Sequence, residues 1–337
     1  MSRSLLIPTP QGLYCPVGDF HIDPHGQVDR AIISHGHSDH ARKVAKKYLA
    51  HKDSAGILRT RLGRGISLST LEYGESLTLN GVRVTLFPAG HLLGSSQIRC
   101  EYRGNITVFT GDFGTTKNDT CEPFQPVKCD TFIPESTFGL PLYKWEAPEI
   151  VYQEINDWWR KNRDKGLASV LYCYSLGKAQ RILNALDPSI APIIVHESVG
   201  QMNVCYRDAG IKLPQTLKGW DRGGKPSDAG AIILAPQSAI SGDWRTFPGK
   251  YSTGFASGWM LLKKMRKMGD IDKGFVLSDH ADWNGLLNAV KETGAERVYP
   301  THGFTKQLSR YLKELGYDSS PLETTFSGEK MDEDKSV

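Results

Sequence analysis

The N-terminal part of the chain, up to residue 140, consists of short apolar runs that are each followed by Gly, Asp or His. Apolar runs of this length between turn-forming residues are typical of β-strands. We predict strands at residues 30–34, 82–87, 105–110 and 131–133. Residues 148–162 differ, because their apolar side chains recur at helical spacing and predict an amphipathic helix. A helix with one apolar face packs on such strands, so the pattern predicts an α/β layered architecture.

A second series of strands and helices begins near residue 168. In this series we predict strands at residues 169–174, 192–196 and 230–234, a helix at 177–186 and a loop at 219–230. Beyond residue 257 the predicted elements are helices at 260–268, 283–291 and 305–315 and strands at 274–277 and 297–299.

This order of elements predicts an insertion within a larger domain. The larger domain would comprise residues 1–165 as its first part and residues 257–327 as its C-terminal part. Residues 166–256 would form the inserted compact domain. The charged, aperiodic residues 328–337 predict a disordered tail.

Composition narrows the class of protein only a little. The chain has 337 residues, with 41 Lys and Arg against 37 Asp and Glu, and a formal net charge of +4. This balance permits a polyanionic partner without requiring one. No uninterrupted apolar run reaches about 18 residues, so we expect no membrane span and predict a cytoplasmic protein. The six cysteines form no C-x-x-C pair and are expected to be reduced thiols.

Seven side chains that can bind a metal follow predicted strands. They are His35, His37, Asp39 and His40 in the run SHGHSDHA, His91 in AGHLLGS, Asp112 in TGDFG and His302 in THG. Residues two apart in an extended segment face the same way, so His35 and His37 can point at one ion. The turn that follows directs Asp39 and His40 elsewhere, and the run therefore suits two ions better than one. A nearby alternating set at residues 21, 23 and 25 is interpreted as a loop.

Two further ligand candidates, His91 and Asp112, can be assigned to these two ions. His91 can complete the imidazole set of the first ion, and Asp112 is placed to bridge both ions because a carboxylate has two oxygens. Imidazole and carboxylate ligands without thiolates suit Zn or Mn. We therefore predict two divalent metal ions, Zn or Mn, and hydrolysis by a hydroxide that they activate.

Further motifs follow in order along the chain: ESTFG at residues 135–139, YSLGKAQRIL at 174–183 and LSDHADW at 277–283. Together with HGHSDH, GHLLG, GDF and the late THG, they make the chain resemble the metallo-β-lactamase superfamily, and within it the β-CASP nucleases. The opening PTPQGLYCPVGDFHIDP and the short insertion most resemble the bacterial ligase-associated DNA exonucleases. The resemblance covers nearly the whole chain. It implies an α/β fold, a metallo-β-lactamase αββα sandwich with a short inserted β-CASP-type α/β domain.

The resemblance also implies a role for individual residues. One ion would be held by His35, His37 and His91, and another by Asp39, His40 and His302, with Asp112 bridging. Asp29 would match the superfamily's first motif. The implied catalytic residues are Asp39, the general acid His280, and Glu135, which orients His280. Lys178 and Arg181, in the YSLGKAQRIL motif, are predicted to contact nucleic acid.

The function implied by the resemblance is that of a metal-dependent DNA exonuclease in DNA end processing or repair. Its substrate would be single-stranded DNA or DNA with free ends, and a DNA ligase would be a functional partner. Two residues favour RNA instead, because RNA-processing members carry His at the position of His302 and Glu at that of Glu135. An RNA-processing β-CASP ribonuclease is therefore the alternative, and no residue fixes the polarity of cleavage.

Two other functions fit part of the pattern. A thioester hydrolase or lactamase shares the metal motifs, but it lacks an inserted domain that carries LGKAQR. A non-catalytic nucleic-acid-binding scaffold is the other alternative. Degenerate members of that kind lose metal ligands, whereas all seven candidates are present here.

Overall fold

The computed structural model describes residues 5–218, 230–241, 250–262 and 271–323. Within these ranges the chain forms two compact units. The first unit holds the residues up to 144 and those from 280 onwards, and the second holds residues 145–279. In the described ranges, no helix is long and apolar enough to cross a membrane.

The N-terminal part of the first unit is mainly β-structure. Its strands are β1 (Ile7–Thr9), β2 (Gly12–Cys15), β3 (Phe20–Ile22), β4 (Val28–Ile32), β5 (Ala45–His51), β6 (Leu68–Leu71), β7 (Ser76–Leu79), β8 (Val82–Pro88), β9 (Ser96–Tyr102), β10 (Asn105–Phe109) and β11 (Thr131–Ile133), and its helix is α1 (Ala55–Leu62). Strands β1 to β6 form one sheet in sequence order. Its first two pairings are antiparallel and its last three are parallel.

The second unit is a parallel sheet with helices. Its elements are α2 (Pro148–Asp164), β12 (Ala168–Tyr172), α3 (Lys178–Ala185), β13 (Ile193–Val195), α4 (Glu197–Asp208), β14 (Leu217–Lys218), β15 (Ile232–Ala235), β16 (Tyr251–Ala256) and β17 (Lys273–Phe275). The sheet order is β14-β13-β15-β12-β16-β17, and every pairing is parallel. All residues of β12 are buried, as expected for a parallel strand with both faces covered.

The chain then returns to the first unit. This part contains α5 (Trp283–Thr293), β18 (Arg297–Val298), α6 (Thr305–Glu314) and β19 (Asp318–Ser319). The second sheet of this unit has the order β19-β18-β11-β10-β9-β8-β7. Strands β10, β11, β18 and β19 are parallel neighbours, whereas β7 to β10 pair antiparallel.

The first unit has four layers, and its apolar clusters show their order. Residues such as Leu13 and Ile22 of the first sheet pack against Val84 and Ile98 of the second sheet. The outer face of the first sheet packs on α1, and the outer face of the second packs on α5 and α6. The unit is therefore an αββα sandwich, and the α/β fold predicted from the sequence is confirmed.

The predicted elements and the observed ones agree closely where both are described. The helix predicted at 148–162 is α2, whose side chains Val151, Ile155 and Trp159 are buried. The unit boundaries, after residues 144 and 279, differ from the predicted insertion at 166–256. The reason is that α2 and β17 pack with the parallel sheet of the second unit, so they belong to it. The predicted tail at 328–337, all but the last residue of the loop at 219–230 and most of the helix at 260–268 lie outside the described residues.

Candidate metal centre

The direction of the strands explains why distant motifs meet. Strands β8 and β10 both pair antiparallel with β9, and β11 and β18 are parallel to β10, so all four run the same way. Their carboxyl ends therefore lie at one edge of the sheet. His91, Asp112, Glu135 and His302 follow these four ends. The end of β4 reaches the same edge, since Ser96 N donates a hydrogen bond to Ser34 O at 2.8 Å.

The first group of potential ligands comprises His35, His37, His91 and Asp112, whose ligand atoms all lie within 4.8 Å of one another. Asp112 Oδ2 lies 3.4 Å from His35 Nε2 and 3.8 Å from His91 Nε2. His91 Nε2 lies 3.2 Å from His37 Nδ1. Three imidazoles and one carboxylate oxygen therefore converge.

The second group comprises His40, Asp112 and His302, again within 4.8 Å. The other oxygen of Asp112, Oδ1, lies 3.4 Å from His40 Nε2. Asp39 Oδ2 lies 3.5 Å from the same His40 nitrogen. Asp112 thus turns one oxygen to each group, which is the arrangement a bridging carboxylate needs. The first group contains the ligands that the motifs implied for one ion, and the second contains those implied for the other except Asp39, which lies beside His40. Metal binding by both groups stays a prediction.

The chemistry of these donors fits a divalent cation. His35 Nε2 is buried and has no well-aligned hydrogen-bond partner among the described residues, and the Asp112 carboxylate oxygen that faces it is 3.4 Å away. A buried polar atom left in this way is costly, and here it points among other nitrogen and oxygen donors. Neutral imidazole together with carboxylate suits Zn or Mn.

The electrostatics of the cluster favour the metal-binding forms of His35, His302 and Asp112. His40 is the exception: burial alone would lower its pKa, but the carboxylates of Asp112 and Asp39 outweigh burial and raise the pKa of His40 well above its ordinary value. Burial, assisted by the neighbouring His40, lowers the pKa of His35 well below its ordinary value. Burial also lowers the pKa of His302 to about 4. For Asp112, burial alone would raise the carboxyl pKa, but His40 and His35 outweigh it and hold the pKa well below its usual range.

A second set of contacts orients the histidines. Ser34 Oγ lies 3.0 Å from His35 Nδ1, and Asp23 Oδ2 lies 2.8 Å from His40 Nδ1. Asp23 also accepts hydrogen bonds from Ser34 N and Ser34 Oγ, at 2.7 and 2.5 Å. With Nδ1 engaged, each imidazole presents Nε2 to the centre.

Asp23 corrects two expectations drawn from the sequence. Asp29 was assigned to the superfamily's first motif, but its side chain is 72% exposed and pairs with Lys46. Asp23, interpreted from the sequence as part of a loop, is fully buried and contacts His40. The available signal was the alternation of residues 21, 23 and 25, which begins in β3, but a strand of three residues is too short for that alternation to indicate a strand.

Next to the two groups, Glu135 and His280 form a buried pair. Glu135 Oε1 lies 2.7 Å from His280 Nδ1 and accepts a hydrogen bond from Phe113 N at 2.9 Å. Glu135 Oε2 accepts from Thr137 N at 3.2 Å. The His280 ring centroid lies 4.8 Å from that of His91, so the imidazole is adjacent to the first group.

Lys178 and Arg181 lie inside the second unit. Their side chains are 1% and 3% exposed and face Asp279, at 3.5 and 3.0 Å respectively. Arg181 also donates to Ser278 O at 2.7 Å and to Tyr152 Oη at 2.8 Å. The nucleic-acid contact expected of these cations stays a prediction, and it would require both side chains to leave these partners.

The centre lies partly within a segment that matches a known family. Residues 24–165 match the family model described as "Metallo-beta-lactamase superfamily". A solved structure of a protein of unknown function from Enterococcus faecalis V583 superposes with a TM-score of 0.56, at 14% identity, covering 89% of this chain and 82% of that chain. At this identity the likeness shows the fold alone.

Curated relatives include proteins that process nucleic acids. A "Probable DNA ligase" from Opitutus terrae is 30% identical over 91% of this chain and 30% of its own length. An "Endoribonuclease YSH1" from Yarrowia lipolytica is 27% identical over 55% of this chain and 26% of its own length. An "RNase J-like protein" from Methanocaldococcus jannaschii is 23% identical over 86% of this chain and 79% of its own length. The chain thus spans less than a third of the first two relatives.

Proposed function

Because this chain contains a metallo-β-lactamase domain and its relatives include β-CASP nucleases, we propose that it is a metal-dependent hydrolase of nucleic-acid phosphodiester bonds, and specifically a DNA exonuclease that acts in end processing or repair. The observation that carries the proposal is the position of Asp112 between two groups of histidines, beside the buried Glu135–His280 pair. A lone hydrolytic metal site needs no such pair, whereas expulsion of a sugar oxygen requires a proton donor.

Seven side chains would bind the two ions. His35, His37 and His91 would hold one ion, Asp39, His40 and His302 the other, and Asp112 both. Two divalent ions in such a site acidify a water molecule and neutralise charge on the phosphate oxygens. Asp23 and Ser34 keep the imidazoles oriented through their Nδ1 atoms. Their burial excludes bulk water from these hydrogen bonds.

His280 is proposed as the general acid. Glu135 engages Nδ1, and the ring lies beside His91 with the centroids 4.8 Å apart, so Nε2 is the nitrogen that would carry the proton to be donated. From there, His280 would pass a proton to the oxygen of the leaving sugar. Glu135 is in turn held by the main-chain amides of Phe113 and Thr137, which keeps its carboxylate fixed.

DNA is proposed over RNA because a relative that aligns with 91% of this chain is named a probable DNA ligase. A functional association with a DNA ligase belongs to the same proposal. The alternative substrate is RNA, which the names of the other relatives support. His302 and Glu135 are the residues by which this chain resembles RNA-processing members.

A non-catalytic nucleic-acid-binding scaffold is the second candidate. The metal content of the purified protein distinguishes the scaffold from the hydrolase, because a scaffold has no need of ions at this site. Analysis that finds about two ions per chain supports the hydrolase. A chain that retains none, even after incubation with Zn or Mn, would favour the scaffold.

The decisive experiment is digestion of 5′- and 3′-labelled single strands of DNA and RNA, with added Zn or Mn. Wild type should shorten DNA progressively from one end, and Asp39→Ala should not. Asp29→Ala is the matched control, because that carboxylate is exposed and should leave cleavage unchanged. Shortening of RNA alone would replace DNA by RNA as the substrate, and internal cuts would exclude exonuclease action.

A further inference from the structure

Two segments of the first unit hold one another beside the second ligand group. They are residues 134–137, after β11, and residues 301–304, after β18. Thr301 N donates to Pro134 O at 2.8 Å, and Phe304 N donates to Ser136 O at 2.9 Å. The hydroxyl of Ser136 donates in the other direction, to the carbonyl oxygens of Thr301 and His302. Ser136 is fully buried, so bulk water does not compete for these hydrogen bonds.

The backbone of His302 needs such support. Its φ angle is +58°, in the left-handed region that residues other than glycine seldom adopt. Such a conformation persists only where the surroundings impose it, and it is common at functional sites. Gly303 follows with φ +68°, and a Cβ at this position would lie only 2.4 Å from Ser136 O and 2.5 Å from Thr137 Cα. The Ser136 hydroxyl is a side-chain group that donates directly to the carbonyl oxygen of the His302 peptide.

We propose that Ser136 is a positioning residue for His302: its hydroxyl fixes the peptide from which the imidazole reaches His40 and Asp112, and thereby sets the affinity of that group for its ion. The inference rests on the metal centre proposed above. Glu135, the neighbouring residue, orients His280. One strand end would then position both an ion ligand and the general acid.

Metal binding in the absence of nucleic acid tests the role of Ser136. Apo wild type and Ser136→Ala are titrated with Co²⁺, followed by visible absorption and by competition with a chelator. Loss of an outer contact to a ligand typically weakens binding by about 10- to 100-fold. Ser136→Ala should show this loss for one ion and retain the other with wild-type affinity. Ser309→Ala is the matched control, because it also removes a buried hydroxyl of this unit, one that makes no hydrogen bond in the described structure.

A double-mutant cycle with His302→Ala identifies which ion is affected. If Ser136 acts through His302, the two substitutions weaken the same binding step, and together they weaken it little more than His302→Ala alone. Ser136→Cys keeps a weak donor of similar size and should lose less affinity than Ser136→Ala. This variant also carries the test if Ser136→Ala does not fold, as judged by thermal unfolding of the apo protein.

Three outcomes overturn the inference: unchanged affinity for both ions in Ser136→Ala, losses that add in full to those of His302→Ala, or a Ser136→Cys variant no better than Ser136→Ala. Failure of the proposed function gives a different result. A wild type that binds two ions and cleaves neither DNA nor RNA contradicts the nuclease while leaving the role of Ser136 intact.

Discussion

Asp23 supports His40 from the side opposite the ligand group, with Asp23 Oδ2 2.8 Å from His40 Nδ1. Both side chains are buried, and the same carboxylate accepts two hydrogen bonds from Ser34. Ser34 in turn contacts His35, which belongs to the other ligand group. One carboxylate therefore orients a histidine of each group, directly in one case and through a hydroxyl in the other.

Asp23→Asn should weaken metal binding by about 10- to 100-fold, the usual cost of losing a carboxylate behind a ligating histidine. The neutral amide cannot match the charge of the carboxylate that stabilises the imidazole. Chelator competition on the purified protein measures the effect. Asp29→Asn is the control, since that side chain pairs with Lys46 at the surface and should bind metal as wild type does. An equal loss of metal affinity in Asp23→Asn and Asp29→Asn would contradict a specific role for Asp23.

His280→Ala should lower the rate of cleavage by about 10²- to 10⁴-fold, the usual contribution of a general acid. Its metal content should stay near that of wild type, because Glu135 engages the ring and the motifs assign His280 to neither ion, although it lies close to Asp112. Single-turnover cleavage and metal analysis on the same sample test both statements.

Glu135→Gln should also lower the cleavage rate, by less than His280→Ala does, with its metal content unchanged. His21→Ala, which removes a histidine stacked on Tyr14, is the control and should change neither quantity. Normal turnover in His280→Ala would remove this residue from the mechanism.

Arg181→Met should destabilise the second unit by about 3 kcal/mol, because it leaves Asp279 buried with a weaker set of partners. Urea unfolding followed by circular dichroism measures this. Arg160→Met is the matched control: Arg160 is 40% exposed and pairs with Asp157, so its loss should cost less than about 1 kcal/mol. If Arg181→Met instead keeps its stability and reduces the salt dependence of DNA binding, the nucleic-acid contact predicted from the sequence is supported.

The pattern of apolar runs was sufficient to predict the strands that position the centre. Four short runs, each followed by a polar motif, correspond to β4, β8, β10 and β11, and their direction in the sheets brings those motifs together. This succeeded because a buried strand and the loop after it are local features of the sequence. The burial of Lys178 and Arg181 is not local, since it depends on Asp279, about a hundred residues later in the chain.

The sequence did not predict the contacts that orient the candidate ligands, because these contacts also join residues that are far apart in the chain. Ser136 and His302 are separated by 166 positions, and only the parallel pairing of β11 with β18 brings their segments together. Asp23 was missed because β3 has three residues, too few for its alternation to indicate a strand. Sequence spacing identified the candidate ligands, whereas the residues that orient them depend on register between strands.

Stability should depend on pH through His51, whose ring is buried and stacks on Tyr73 with the centroids 3.6 Å apart. Burial, with the neighbouring charge of Lys52, lowers the pKa of His51 from 6.5 to about 4. Between these values the unfolded chain binds a proton that the folded chain does not. Stability is therefore full above pH 6.5 and decreases as the pH falls toward 4, with a loss of about 2 kcal/mol at pH 5.

His51→Phe isolates this contribution, because it keeps an aromatic ring beside Tyr73 and removes the titrating group. Urea unfolding at pH 7.5 and at pH 5 is compared for wild type and variant. The variant should lose less stability between the two pH values than wild type does. If wild type and His51→Phe lose the same amount of stability between pH 7.5 and pH 5, the acid sensitivity comes from groups other than His51.

Gly303→Ala should lower thermal stability and metal affinity far more than the same substitution at Gly316, another glycine with a positive φ angle. A Cβ at position 303 would lie 2.4 Å from Ser136 O and 2.5 Å from Thr137 Cα, and neither main-chain atom can move without shifting the strand end that carries Glu135. Gly316 also has a positive φ, +95°, but a Cβ there would meet nothing within 4 Å. Gly316→Ala should therefore cost only about 1 kcal/mol, the price of the backbone conformation alone. Gly303→Ala should cost more in thermal unfolding and should also weaken binding of the ion held by His302, measured by Co²⁺ titration. Similar effects of the two substitutions on both measurements would mean that close approach of residues 134–137 and 301–304 does not position the ligand.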